Sequence, residues 1–214
     1  MGNFRNYFEA SSGMTSQDFS HMPMNTRMAQ GRNIGEAFII AELKKHGVNI
    51  TPSQGYYADA KLKIDGYLNG NKSEPVQIKL RRSGLGNRND IAYEVCRNHD
   101  PQVMLVDQLK DIHHQGRDFR GESVKHYYVM NNTETEIYYT YAPALKAVVL
   151  QAIRQMNSSP MGGKLNKSFI ASNGVDLRPT RDPDPESFTP SKVMAFIPVE
   201  SVSMQTYPIN ARNV

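Results

Sequence analysis

The chain has 214 residues, 39 % hydrophobic and 21 % charged, with no Trp, one Cys and a formal net charge of +4. That length supports one domain with a sizeable core, and no stretch approaches the roughly 20 apolar residues that a bilayer span needs. A single cysteine, Cys96, excludes an internal disulfide framework and fits a reducing compartment.

The opening MGNFRNYFEASSG lacks the apolar run of a secretory signal, so a cytoplasmic protein without a membrane partner is expected. Residues 1–24 carry Ser, Gly, Met and Asn without a clear period and read as an irregular arm. Residues 25–46 read as a helix. Asn25 or Thr26 can cap it, Lys44, Lys45 and His46 suit its C-terminal dipole, and Gly47 stops it. Ala29, Asn33, Glu36, Ala37, Ile40 and Leu43 follow helical spacing, which puts Glu36 on the core-facing stripe. A carboxylate there is either a rim residue paired with Arg32 or a lysine, or an acid turned toward a site. A short strand is expected within 48–57. Asp59, just before the strand that carries Asp65, is a rival to Asp65 as a metal-binding acid. It ranks second because its spacing to Gln77 is longer and Ala58 and Ala60 give no alternation.

The most informative stretch is 61–82, KLKIDGYLNGNKSEPVQIKLRR. Leu62 and Ile64 alternate with Lys63, Asp65 and Tyr67, then Asn69, Gly70 and Asn71 supply a tight turn. Val76, Ile78 and Leu80 alternate with Gln77, Lys79 and Arg81, so Gln77 and Lys79 share a face. If the two strands pair, Asp65 sits beside them. An acid, an amide oxygen and an ammonium at one end of a small sheet can hold a hard metal ion and orient a water. Residues 27–97 hold 12 Lys and Arg against 7 Asp and Glu, so the basic surplus surrounds this stretch. Nucleic acid is the natural polyanion for such a field.

The loop SGLGNRN follows Arg81 and Arg82, and its glycines let the backbone approach a phosphate while Arg88 adds charge. Residues 90–96 alternate again, with Ile91, Tyr93 and Val95 on one face and Glu94 on the other. Residues 98–122 carry His113, His114, Arg117 and Arg120, which face a phosphate backbone or solvent. Residues 124–141 read as a hairpin with a stripe of tyrosines, expected to pack across strands rather than stack on bases. Residues 143–156 read as the clearest helix, burying Leu145, Val148, Val149, Ala152, Ile153 and Met156. Residues 157–191 read as an irregular crossing, and 192–202 as a final strand that Pro198 places at an edge.

Asp65, an eleven-residue gap and then Gln77-Ile78-Lys79 resemble the motif of the PD-(D/E)xK nuclease superfamily, over roughly residues 27–156. The departure is Gln77, which stands where that family usually has Asp or Glu. The resemblance implies a restriction-endonuclease-like α/β (α+β) core, a central mixed sheet flanked by helices. It would be a single nuclease-like domain with an arm at 1–24, a core at 25–156 and a crossing with a C-terminal strand at 157–214. It further implies a Mg²⁺-dependent endodeoxyribonuclease of homing, phage or resolvase type, with Mn²⁺ able to substitute. Asp65, Gln77, the carbonyl of Ile78 and Glu36 would hold the metal, and Lys79 would touch the attacking water. Glu94 would be an auxiliary acid, or else a partner for Arg81 or Arg97. Arg81, Arg82, Arg88, Arg117 and Arg120 would contact double-stranded DNA, and a homodimer would cut both strands. The alternatives are a nucleic-acid-binding protein with a degenerate nuclease site and a structure-specific junction resolvase.

Overall fold

The computed structural model describes residues 3–54, 64–80, 90–97, 124–131, 133–159, 168–180 and 192–209. Expectations for Asp59, Arg81, Arg82, Arg88, His113, His114, Arg117 and Arg120 fall outside these residues.

The protein is a mixed α/β structure. A six-stranded mixed sheet has the order β1(Ile50–Pro52), β2(Gly66–Leu68), β3(Pro75–Leu80), β5(His126–Met130), β6(Glu136–Tyr141), β10(Gln205–Pro208). Neighbours run antiparallel except β3 and β5, which are parallel. A second, four-stranded antiparallel sheet has the order β4(Asp90–Arg97), β9(Lys192–Pro198), β8(Asp176–Thr180), β7(Phe169–Ile170). Among the described residues no helix is long and apolar enough to cross a membrane.

Alternation along β3 and β5 separates two cores. Val76, Ile78, Tyr128 and Met130 join Ile137 and the helix α3(Met24–Lys45), through Phe38, Ile39 and Leu43. On the opposite face Tyr127, Val129 and Tyr138 meet the helix α4(Ala142–Ser158) and the inner face of the second sheet, including Ile91, Tyr93, Val193 and Ala195. Burying this many β-branched and aromatic side chains from both faces is what makes the central strands strongly apolar.

Several expectations need correction. The first residues are not an irregular arm, because α1(Asn3–Ser12) and α2(Ser16–His21) form there and Tyr7 packs edge-on against Phe38 at 5.3 Å. Helix α3 starts at Met24 behind Pro23, whose φ of −52° already suits a helix, rather than behind Asn25 or Thr26. Its C-terminus follows expectation: Gly47 takes φ of +81°, and the Val48 N–H donates to the Leu43 carbonyl at 3.1 Å. The buried stripe of α3 is Gly35, Phe38, Ile39, Glu42 and Leu43, rotated from the expected one, with Asn33 and Ala37 exposed. The reason is Gly35: a Cβ there would lie 2.2 Å from Leu80 Cδ1, so only glycine lets α3 seat this closely on β3.

Residues 90–97 do form a strand, but it belongs to the second sheet, and the strand that pairs with β3 across from β2 is β5. Residues 168–180 hold two strands instead of an irregular crossing. Strand β9 is central, not an edge. Pro198 is its last residue, where a missing N–H costs the ladder least.

Candidate functional site

The site begins where β2 stops pairing with β3. The last paired residues are Gly66 and Val76, and the chain before Gly66 turns toward β1 instead. Ser53 draws it there: its N–H donates to the Asp65 carbonyl at 3.0 Å and its hydroxyl to the Ile64 carbonyl at 2.6 Å. Gly66 is required at this point, because a Cβ would lie 2.7 Å from Ile50 Cγ2 and 2.8 Å from the Thr51 carbonyl oxygen.

With both carbonyls committed to Ser53, the Ile78 N–H on β3 has no main-chain acceptor on that side. The Asp65 carboxylate supplies one, accepting through Oδ2 at 2.6 Å, while the Asp65 N–H donates to the Val76 carbonyl at 2.9 Å. The N–H and C=O of one strand residue point the same way. The Ile78 carbonyl therefore projects into the same opening as the Asp65 side chain.

Gln77 and Lys79 project from the face that carries Tyr127 and Val129, their register partners on β5. Gln77 is only 7 % exposed. Lys79 is half-buried, and no ion pair holds it among the described residues. Tyr127 is buried beside Gln77. Burial first, then the nearby Tyr93, Asp65 and Glu94, push its phenol well above the ordinary tyrosine range.

Glu36 is placed differently. It is half-buried on α3 next to Gly35, and α3 covers the Val76, Ile78 and Leu80 face. Gln77 and Lys79 leave the sheet on the other side. The buried carboxylate on the α3 stripe is Glu42, paired with Lys45 in the last turn.

This chain matches no known protein family, no characterised protein and no solved structure. The geometry therefore carries the functional reading. Among the described residues no three His, Cys, Asp or Glu side chains gather as a metal cluster. The donors on offer are mixed instead: the carboxylate of Asp65, the amide oxygen of Gln77 and the main-chain carbonyl of Ile78. All are hard oxygens, the set that Mg²⁺ accepts alongside water, so the residues present fit such an ion.

Two contributors were missed in the sequence. Ser53 has no motif around it. Tyr127 was grouped with the other tyrosines, although its alternation with Tyr128 places it on the Gln77 face once β5 is set beside β3. A separate chain of polar contacts was also unread: Glu74 accepts from His126 Nε2 at 2.7 Å and from Lys125 at 3.0 Å, and His126 Nδ1 meets the Tyr139 hydroxyl at 3.1 Å. His126 and then Lys125 hold the Glu74 carboxyl below its ordinary range.

Proposed function

We propose that this protein is a Mg²⁺-dependent DNA endonuclease with a restriction-endonuclease-like core. The observation that carries the reading is the opening between β2 and β3, where the Asp65 carboxylate is held against Ile78 and the Gln77–Lys79 face begins. Asp65, Gln77 and the Ile78 carbonyl would hold the cation. When bound, it supplies Lewis acidity at the scissile phosphate and lowers the pKa of a coordinated water.

The protein's own groups do the rest. Asp65 is fixed by the Ile78 N–H, so it presents its charge without further ordering. Lys79, on the same face of β3 as Gln77, would offer its ammonium to a phosphate oxygen and to the attacking water. Arg81, Arg82 and Arg88, with Arg117 and Arg120, would neutralise flanking phosphates and give affinity without sequence preference.

The test is nicking of supercoiled plasmid in Mg²⁺ and in EDTA, with binding measured by gel shift. Wild type should nick only with Mg²⁺ or Mn²⁺. Lys79→Ala should lose about 10²–10³-fold in rate, the usual cost of removing one stabilising group, while still binding DNA. The neutral Gln77 amide favours one second reading, a nucleic-acid-binding protein with a degenerate site. DNA binding without any cation-dependent nicking would select it. A four-way junction cut in preference to duplex would select a resolvase.

A further inference from the structure

The antiparallel ladder between β2 and β3 stops one bonded pair short of the candidate site. The Leu68 N–H donates to the Glu74 carbonyl at 3.0 Å, and Gly66 stands opposite Val76. Bonded pairs recur at every second residue of such a ladder, so the next pair in register would be Ile64 with Ile78. There the Ile78 N–H would donate to the Ile64 carbonyl. Instead each group has a side-chain partner. The Ser53 hydroxyl donates to the Ile64 carbonyl at 2.6 Å, and the Asp65 carboxylate accepts from the Ile78 N–H at 2.6 Å. One side-chain donor and one side-chain acceptor replace a single main-chain bond.

This exchange is held from the outer side of the sheet. Ser53 directly follows the edge strand β1, and its own N–H donates to the Asp65 carbonyl at 3.0 Å. Ser53 thus grips two successive carbonyls, those of Ile64 and Asp65. The Ile64 side chain is 5 % exposed and packs with Val124 and Ala142, which fixes the segment along its length. Without the Ser53 hydroxyl, the Ile64 carbonyl regains its ladder partner, and the Asp65 carboxylate loses the N–H that aims it.

We propose that Ser53 is a positioning residue of the cation site: its hydroxyl holds the Ile64 carbonyl away from β3, which leaves the Ile78 N–H to aim the Asp65 carboxylate at the opening. This deepens the endonuclease reading above and rests on it. Removing the hydroxyl lets a main-chain bond form in place of the exchanged pair. The fold then loses little, while the cation loses its ordered carboxylate.

The test is Mn²⁺ titration of the full chain, read by thermal shift, for wild type, Asp65→Asn, Ser53→Ala, Ser53→Thr, Ser53→Cys and the Ser53→Ala/Asp65→Asn double variant. Ser53→Ala should raise the half-saturating Mn²⁺ concentration about tenfold, as loss of an orienting partner does, with a metal-free melting temperature close to that of wild type. Ser53→Thr keeps a hydroxyl and should bind Mn²⁺ like wild type. The double variant should bind no worse than Asp65→Asn, since Ser53 acts only through Asp65. Ser53→Ala that lowers the metal-free melting temperature and leaves half-saturation unchanged would overturn the proposal, as would Ser53→Thr as impaired as Ser53→Ala. If Ser53→Ala does not fold, Ser53→Cys decides. Its thiol is only a weak donor, and an unchanged half-saturation rejects the idea. Asp65→Asn separates the two levels. If it binds Mn²⁺ like wild type, the endonuclease reading fails and this proposal with it. If it loses binding while Ser53→Ala does not, only the role of Ser53 is wrong.

Discussion

Replacing Asp65 removes two things at once, and the two can be measured apart. Its carboxylate accepts from the Ile78 N–H at 2.6 Å, a hydrogen bond to a charged group. Such bonds contribute about 1.5–3 kcal/mol, and neutral ones about 1 kcal/mol. Asp65→Ala leaves the Ile78 N–H with no acceptor, so it should cost about 2 kcal/mol. Asp65→Asn keeps an acceptor oxygen in nearly the same place and should cost about half as much. For a chain of this size each kcal/mol lowers the melting temperature by about 2–4 °C, so the expected drops are about 4–8 °C and about 2–4 °C. Both variants stay folded if overall stability lies in the usual range of about 5–15 kcal/mol. In the proposed chemistry, both should lose cleavage by about 10²-fold or more, because the amide lacks the charge as fully as alanine does. Circular-dichroism melts and plasmid nicking at one temperature give the two readouts. Equal melting temperatures for Asp65→Ala and Asp65→Asn would refute the structural half of this reasoning. Wild-type cleavage by Asp65→Asn would refute the chemical half.

Gly35→Ala sets helix propensity, a gain of about 1 kcal/mol, against overpacking on Leu80, a loss of about 1–3 kcal/mol. Urea unfolding should show a net loss of about 1 kcal/mol that Leu80→Ala partly relieves, and a more stable Gly35→Ala would contradict the close seating of α3. Glu74 has a lowered carboxyl pKa in the folded state, so it adds stability above the ordinary glutamate range, which is lost as pH falls through the folded value. Urea midpoints between about pH 5 and pH 3 should fall less steeply in Glu74→Gln than in wild type; parallel curves would show that His126 and Lys125 do not hold the charged form.

Local signals were legible where a short segment decides its own fate. The Asn69-Gly70 turn takes φ of +51° and +70°, as its residues demand. The tyrosine hairpin and the helix after Pro143 needed only alternation and helical spacing, and both stand where expected. Gln77 and Lys79 share a face, as a period of two predicts, whereas Asp65 lies outside β2 and turns its carboxylate to the Ile78 N–H, which alternation does not predict. What failed depended on partners far along the chain. Alternation at Ile91, Tyr93 and Val95 identifies a strand but not its sheet, and the partner of β4 is β9. The α3 stripe was misplaced because apolar residues surround much of that helix, and the choice among faces is made by Gly35 against Leu80. One local signal was overlooked: Asn173-Gly174 between Phe169–Ile170 and Asp176–Thr180 is a hairpin turn, with Gly174 at φ of +80°.

On the endonuclease reading proposed above, the pairing of β4 with β9 also bears on when the site is assembled. Chains fold as they leave the ribosome, earliest residues first. Asp65, Gln77, Lys79 and Glu94 are all made early, but β4 gains its lateral partner only after Lys192–Pro198 has been synthesised. The far side of the central sheet waits longer still: Gln205–Pro208 closes on β6, His46 at the end of α3 reaches the Pro208 carbonyl at 2.8 Å, and Ile209 is buried in the α3 core. A half-made chain thus carries every proposed ligand and no rigid frame for them. If the protein does cut DNA, translation acts as a safety catch, because a centre assembled this way is armed only once β9 and β10 have been made.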